Sequence, residues 1–257
     1  MNTARIAELL ESFLSARIAA QEACHSEPAK AREDSALLSP TQLHDISTYI
    51  DILIRWNARI NLTAVRDPDE IVIRHFGESL FAARNLFPVR VHAGAAAPKQ
   101  SGTDGSGECS SVAVTLADLG SGAGFPGLPI KLWAPHISLS LIESHHKKAT
   151  FLREVTRALT LTNVDIQNAR AETLTGKSFD VVTLRAVERF QSILPVAAAL
   201  VRPAGRLALL IGASQQNEAR ATLPEFTWSD PVAVPSSKTR ILLIGREMGT
   251  YSITSGA

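Results

Sequence analysis

From residue 112 onward, short apolar runs alternate with longer helix-forming stretches, and this alternation restricts the fold more than any other feature of the chain. Residues 112–119, 137–142, 164–167, 179–184 and 206–211 read as strands, and 145–161 and 190–201 are the clearest helices between them. Strands that are apolar nearly throughout, each followed by a helix, belong in a parallel sheet covered on both faces. Residues 226–234 and 239–246 break the rhythm because only a turn separates them. A terminal antiparallel hairpin on a parallel sheet makes a mixed, doubly wound α/β architecture.

Ahead of this region the pattern is helical. Residues 2–25 have helical composition, and "HSEPAKAREDS" ends it. Ser39, Pro40 and Gln42 spell a capping box, after which Leu43, Ile46, Ile50, Leu53 and Ile54 mark one apolar face. Asp67, Pro68 and Glu70 repeat the device and predict a helix to about residue 85. Residues 92–111 are rich in Gly, Ser and Ala and offer almost nothing to bury, which predicts a flexible linker or insertion. The expected division is therefore a helical extension and cap (1–91), the linker (92–111) and a sheet domain (112–257).

The bulk properties exclude several classes. Glu8 and Glu11 interrupt what would be the apolar centre of a signal peptide, and the longest apolar run, 193–201, is too short to span a bilayer. Cys24 and Cys109 stand in unrelated contexts and suggest neither a disulfide framework nor a metal site. A cytoplasmic protein without membrane association is expected. With 26 Lys and Arg against 25 Asp and Glu, any site for a polyanion must be a local patch.

The first predicted strand runs into "LADLGSGAGFPGLP", residues 116–129. In open parallel sheets, ligands bind beyond the carboxyl ends of the strands, where the first strand hands over to its helix. Gly120, Gly122, Gly124 and Gly127 stand at that place and allow backbone amides to approach a ligand. Gly122, Gly124 and Gly127 satisfy G-x-G-x-x-G, so a nicotinamide or flavin dinucleotide fits the spacing. Pro126 and Pro129 argue otherwise, because they interrupt the helix start that would receive a pyrophosphate. Asp118, followed by the glycines, better suits a ligand with an ammonium group and no phosphates, such as S-adenosylmethionine. Glu143 ends the second strand, where a carboxylate accepts bonds from ribose hydroxyls in either kind of site. It also stands where it would simply cap the following helix.

Four stretches then occur in order: "RWNARINLTAVRDPDEIVIRHFGESL" (55–80), "LADLGSGAGFPGLPIKL" (116–132), "LIESHHKKATFL" (141–152) and "VVTLRAVE" (181–188). Over roughly residues 39–212 the chain resembles the bacterial guanine-N7 methyltransferases of small-subunit ribosomal RNA, the RsmG (GidB) family. The resemblance implies a Rossmann-like class I sheet that uses S-adenosyl-L-methionine, with a helical N-terminal cap. It implies cofactor contacts at Gly120 and Phe125, at Ala171 and Glu172 after the third strand, and at Arg185 after the fourth. Glu143 falls at the family's ribose-binding acid, usually aspartate. The family's "RH…DS" stands here as Arg74, His75, Glu78 and Ser79, and an expected lysine on the fifth strand is replaced by Ile211.

Guanine N7 carries an exposed lone pair, so its methylation needs alignment and no general base. Neither cysteine is placed for attack on cytosine. The segment at 184–187 lacks the Asn/Asp-Pro-Pro-aromatic loop of amino-group methylation. Arg185 is expected to face the mouth of the site and contact cofactor, phosphate or the guanine O6, or else to form a structural ion pair. Arg74, His75 and Glu78 fall on one helical face; Arg74 and His75 are expected to contact the RNA, with a plain salt-bridged surface the nearest alternative reading. Lys147 and Lys148, beside His145 and His146, form the local basic patch for ribosomal RNA or a ribosomal subunit. The working expectation is a monomeric rRNA (guanine-N7)-methyltransferase without a metal. The alternatives are a nicotinamide-dependent oxidoreductase and a non-catalytic rRNA-binding or assembly factor on the same fold.

Overall fold

Capping residues set the helices of the N-terminal third. In the computed structural model, which describes residues 1–15, 38–88, 113–174, 176–185 and 190–247, α1 (Thr3–Ser15) is followed by α2 (Pro40–Asn57). Ser39 Oγ accepts the Gln42 amide at 3.2 Å and the Gln42 side chain accepts the Ser39 amide at 2.8 Å, so the expected box is complete. At the next helix only the first half forms: Asp67 accepts the Glu70 amide at 2.9 Å without a return bond. The linker predicted at 92–111 and the end of the helix predicted at 2–25 lie outside the described residues.

The helix that begins at Asp67 is not uniform. It runs as α3 (Pro68–Ile71), widens into a π turn (Val72–Gly77) and resumes as α4 (Glu78–Leu86). Gly77 packs beneath α1, where a Cβ would meet the Phe13 ring at 2.5 Å. The π turn also spoils the single-face reading of Arg74, His75 and Glu78. Arg74 stays exposed, His75 is half-buried and Glu78 is buried.

Beyond the cap the chain alternates as expected. β1 (Thr115–Leu119), α5 (Gly127–Trp133), β2 (Ser138–Ile142), α6 (His146–Ala158), β3 (Val164–Gln167), β4 (Phe179–Arg185), α7 (Phe190–Ala199), β5 (Val201–Gly212) and α8 (Gln216–Thr222) follow in order. β6 (Phe226–Trp228), β7 (Val232–Ala233) and β8 (Arg240–Glu247) complete the sheet. Its order is β3-β2-β1-β4-β5-β8-β6, parallel from β3 to β5, with β8 antiparallel to β5 and to both β6 and β7. The predicted hairpin is present, but its first strand is split around Ser229, Asp230 and Pro231, since proline cannot donate to a ladder. Its second strand is the interior one.

Two apolar layers sandwich the sheet. On one face, Leu116, Leu139, Leu141, Val181 and Leu210 join the cap residues Ile6, Phe13, Tyr49, Ile50 and Phe76 in a single cluster with Phe151 of α6. The cap therefore shares its core with the sheet. On the other face, Ala117, Leu119, Val182, Leu184 and Leu209 pack with Leu194 of α7 and Ala219 of α8. Ile211 belongs to this second layer with Ile241, so the residue standing at the family's lysine position is apolar filling. Among the described residues no helix is long and apolar enough to cross a membrane.

Candidate functional site

The strand order reverses between β1 and β4, and at such a switch point the carboxyl ends of the strands open a crevice. The loop from Gly120 to Pro126 lies there, tied to the end of β2 by the Gly120 and Ser121 amides, which both donate to the Ile142 carbonyl.

The four glycines do different work, a distinction the spacing alone did not reveal. Gly120 and Gly122 hold φ of +66° and +56°. A Cβ on Gly120 would meet nothing within 4 Å, and one on Gly122 only the Gly120 carbonyl at 3.7 Å, so this part of the loop faces open space. Gly124 and Gly127 are packing glycines instead. A Cβ on Gly124 would collide with the Tyr49 hydroxyl and meet Leu128 at 2.6 Å, and one on Gly127 would meet Leu141 and Asp118 at 2.7 and 2.8 Å. Gly124, expected to touch a ligand, thus accommodates Tyr49. This tyrosine was not singled out from the sequence. It reaches from α2 to donate to the Ala123 carbonyl and stacks on Phe125 at 5.4 Å.

Asp118 also departs from expectation. Its carboxylate is buried beneath the loop, where it accepts the Gly127 amide at 3.2 Å and the Thr183 hydroxyl at 2.8 Å. Burial lifts its pKa to about 6 against the pull of those bonds. Asp118 is a brace for the turn, and no ammonium group of a ligand is needed to explain it.

The start of α5 discriminates between ligands. Pro129 does not interrupt the helix, because it sits in the first turn, where an amide would have no intrahelical partner. The other amides there are already used: Gly127 donates to Asp118, Leu128 to the Gly124 carbonyl and Ile130 to the Pro126 carbonyl. A pyrophosphate requires free amides at that helix end, and α5 offers none.

Glu143 ties two segments of the crevice together. One carboxylate oxygen accepts the Gly122 amide at 2.9 Å and the other accepts the His145 amide at 2.7 Å, so it links the residue just ahead of α6 to the open part of the glycine loop. Each carboxylate oxygen accepts two bonds, which leaves capacity for hydroxyl donors from a ligand. Asn168, also not anticipated, steadies this segment by donating to the carbonyls of Glu143 and Ser144 at 2.9 and 3.0 Å. Ala171, buried, and Glu172, exposed, form a short turn after β3. Lys147 is exposed and Lys148 half-buried at the start of α6, on the rim next to Glu143.

Arg185 does not face an open mouth. Its side chain is 8% exposed and pairs with Glu78 at 3.0 Å, while Arg240 of β8 pairs with the same carboxylate oxygen at 3.1 Å. Arg185 also donates to the Arg74 carbonyl and to His75 Nδ1, and its guanidinium lies 5.9 Å from the Phe125 ring. Burial pushes its pKa down to about 10, which leaves it charged at neutral pH. Because guanidinium only donates, His75 Nδ1 must accept, so the ring proton is on Nε2 and points to Thr63 Oγ1 at 2.7 Å. Burial, then Arg185 and Arg74, lower the His75 pKa to about 3. His75 is a neutral ring stacked on Phe125 at 4.8 Å with both nitrogens engaged. It is not poised as a base.

Comparisons with known proteins give the chain a family. The family model described as "rRNA small subunit methyltransferase G", GidB, matches residues 42–92 and 106–242. A Bacillus subtilis (strain 168) protein named ribosomal RNA small subunit methyltransferase G is 34% identical over 194 residues, covering 74% of this chain and 72% of its own. One of the same name from Xylella fastidiosa (strain 9a5c) is 36% identical over 190 residues, covering 73% and 78%. Among solved structures, a ribosomal protein L11 methylase from Lactobacillus delbrueckii subsp. bulgaricus superposes with a TM-score of 0.46 at 16% identity, over 54% of this chain and 72% of that one.

Proposed function

We propose a reaction from one premise: the chain belongs to the GidB family, rRNA small subunit methyltransferase G. It transfers a methyl group from S-adenosyl-L-methionine to N7 of a guanine in small-subunit ribosomal RNA. The observation that carries the choice of cofactor is the contrast within one loop. Gly120 and Gly122 present an open cradle beside Glu143, while the neighbouring helix start has no amide left for a pyrophosphate.

The residues present suit such a nucleoside. Gly120, Gly122 and the main chain at Phe125 hold it against the sheet, Glu143 takes the ribose hydroxyls, and Ala171 and Glu172 close the side beyond β3. When bound, the cofactor's sulfonium supplies the methyl group. The chain's own contribution is alignment and exclusion of water, because guanine N7 brings its lone pair already exposed. That requirement agrees with a neutral, fully engaged His75 and with the lack of a free nucleophile–base pair among the described groups around the loop. Arg185 acts as a positioning residue: through Glu78, His75 and Phe125 it fixes the cap against the loop. Arg74, Lys147 and Lys148 engage the RNA from the rim. N7 is hidden in the deep groove of duplex RNA, so the target guanine lies in a loop or irregular stem. We place the protein in the cytoplasm, acting as a monomer.

Two experiments test this reading. Calorimetry should show S-adenosylhomocysteine binding and no NADH binding; the reverse would end it. Incubation with labelled cofactor and under-methylated small-subunit rRNA or subunits, followed by mass-spectrometric mapping, should place the label on guanine N7. Cofactor binding without transfer to any RNA substrate would favour an assembly factor instead.

A further inference from the structure

We propose that a second cleft on the same rim, between the cap and the β7–β8 turn, receives a backbone phosphate of the substrate RNA, with Lys238 and Arg74 as its cations. This inference rests on the reading of the protein as an RNA methyltransferase and adds a contact outside the cofactor crevice.

The cleft, of about 280 Å³, is walled on the cap side by Phe13, Ile73 and Arg74 and on the hairpin side by the turn from Pro235 to Arg240. Its polar lining has the chemistry of a phosphate site. Ser236, Ser237 and Thr239 supply hydroxyl donors, and Arg74, Lys238 and Arg240 supply three positive charges against one carboxylate, Glu78. That carboxylate is already satisfied electrostatically. It lies 4% exposed, paired with Arg240 at 3.1 Å and with Arg185 at 3.0 Å. The field left over is cationic, so the cleft favours an anion with several acceptor oxygens.

Arg74 and Lys238 are both exposed, and neither forms an ion pair among the described residues. The turn that carries Lys238 is held rigidly, as a preorganised site requires. Val234 donates to the Arg240 carbonyl at 3.0 Å, Ser237 to the Val234 carbonyl at 3.2 Å, and the Arg240 amide to Ser237 Oγ at 3.2 Å. Ser236 adopts φ +59°, a conformation uncommon for a residue with a side chain and found most often where a turn's shape matters.

Placement supplies the rest of the argument. Arg240 pairs across the sheet with Gly212 at the carboxyl end of β5, so the turn stands on the edge where β1, β2 and β4 present the candidate cofactor site. The Arg185–Glu78–Arg240 cluster connects the cleft to Phe125 in the glycine loop. A strand of RNA with one base at the loop would lay a flanking phosphate on this side.

The test uses the full chain, S-adenosylhomocysteine, and under-methylated small-subunit rRNA. Lys238→Glu should raise the KM for RNA about tenfold and leave S-adenosylhomocysteine affinity unchanged. The slope of log affinity against log salt should become shallower by about 0.7 for the one phosphate that the variant no longer neutralises. Lys238→Arg should keep the wild-type values. If Lys238→Glu matches wild type in KM and salt slope while the wild type methylates RNA, the cleft plays no part and the methyltransferase reading stands. A loss of S-adenosylhomocysteine affinity in Lys238→Glu also overturns the phosphate assignment. Wild-type protein that binds S-adenosylhomocysteine but no RNA overturns both inferences.

Discussion

The stability of this protein below neutral pH should reflect two desolvated groups, half-buried His75 and buried Asp118, working against each other. His75 has an ordinary pKa near 6.5 when unfolded and about 3 when folded. Its depressed value means the unfolded chain binds the proton first, so folding stability is full above pH 6.5 and is lost as pH falls toward 3. At about 1.36 kcal/mol per pH unit, the loss between pH 7 and 5 is about 2 kcal/mol. Asp118 runs the other way: its pKa rises from 3.8 to about 6 on folding, so its ionisation weakens the fold as pH climbs from about 4 to 6. Acidification from pH 7 to 5 therefore returns about 1.4 kcal/mol through Asp118, and the wild-type curve should stay nearly flat across that window. Replacement exposes each component. His75→Gln should gain about 2 kcal/mol relative to its own pH 7 value more than wild type does on going to pH 5, and Asp118→Asn should turn the flat curve into a loss. Urea unfolding midpoints at pH 7, 6 and 5, converted with a common slope, measure both. Curves for His75→Gln and wild type that run parallel, whatever their offset, would show that His75 titrates normally in the fold and that its sealed, neutral state is wrong.

Three further outcomes follow from the contacts. Gly122→Asp should abolish S-adenosylhomocysteine binding while far-ultraviolet circular dichroism stays native, because a second carboxylate would face the open side of the loop and repel Glu143; unchanged affinity in calorimetry would make the loop a mere turn. Glu78→Gln strips the shared anion from the buried Arg185 and the half-buried Arg240, and a loss of about 3 kcal/mol is expected by denaturant unfolding; a loss below 1 kcal/mol would mean that water already screens the cluster. Tyr49→Phe leaves the Ala123 carbonyl without its donor, which should cost about 1–3 kcal/mol and loosen cofactor binding through the glycine loop. Equal affinity in that variant would separate the tyrosine from the site.

Much of this was readable in one dimension, and the parts that were not share a cause. The alternation after residue 112, the capping box at Ser39 and the handover at Gly120 are local signals, and all three hold in three dimensions. The roles of Gly124 and Gly127 were hidden because what lies beneath them, Tyr49 and Asp118, is defined only by packing. Arg185 was placed correctly at the end of β4, but its direction depends on Glu78, which a π turn carries inward from the face that regular helical spacing predicts. Spacing rules assume one period, and this helix changes period in the segment that matters. The split of the hairpin's first strand was announced by Pro231, a signal present in the sequence and outweighed there by the apolar run around it.

The position of β8 bears on how the molecule is made. Among the described residues, the sheet's final strand in chain order is a middle plank, bonded to β5 along seven residue pairs and to β6 and β7 on its far side. Until Arg240 and its successors leave the ribosome, β5 presents a long raw margin and β6 has nothing to lean on. The sheet as described is thus completed only once β8 has been made. A premature stop ahead of Arg240 should deliver an aggregating product and not a trimmed enzyme.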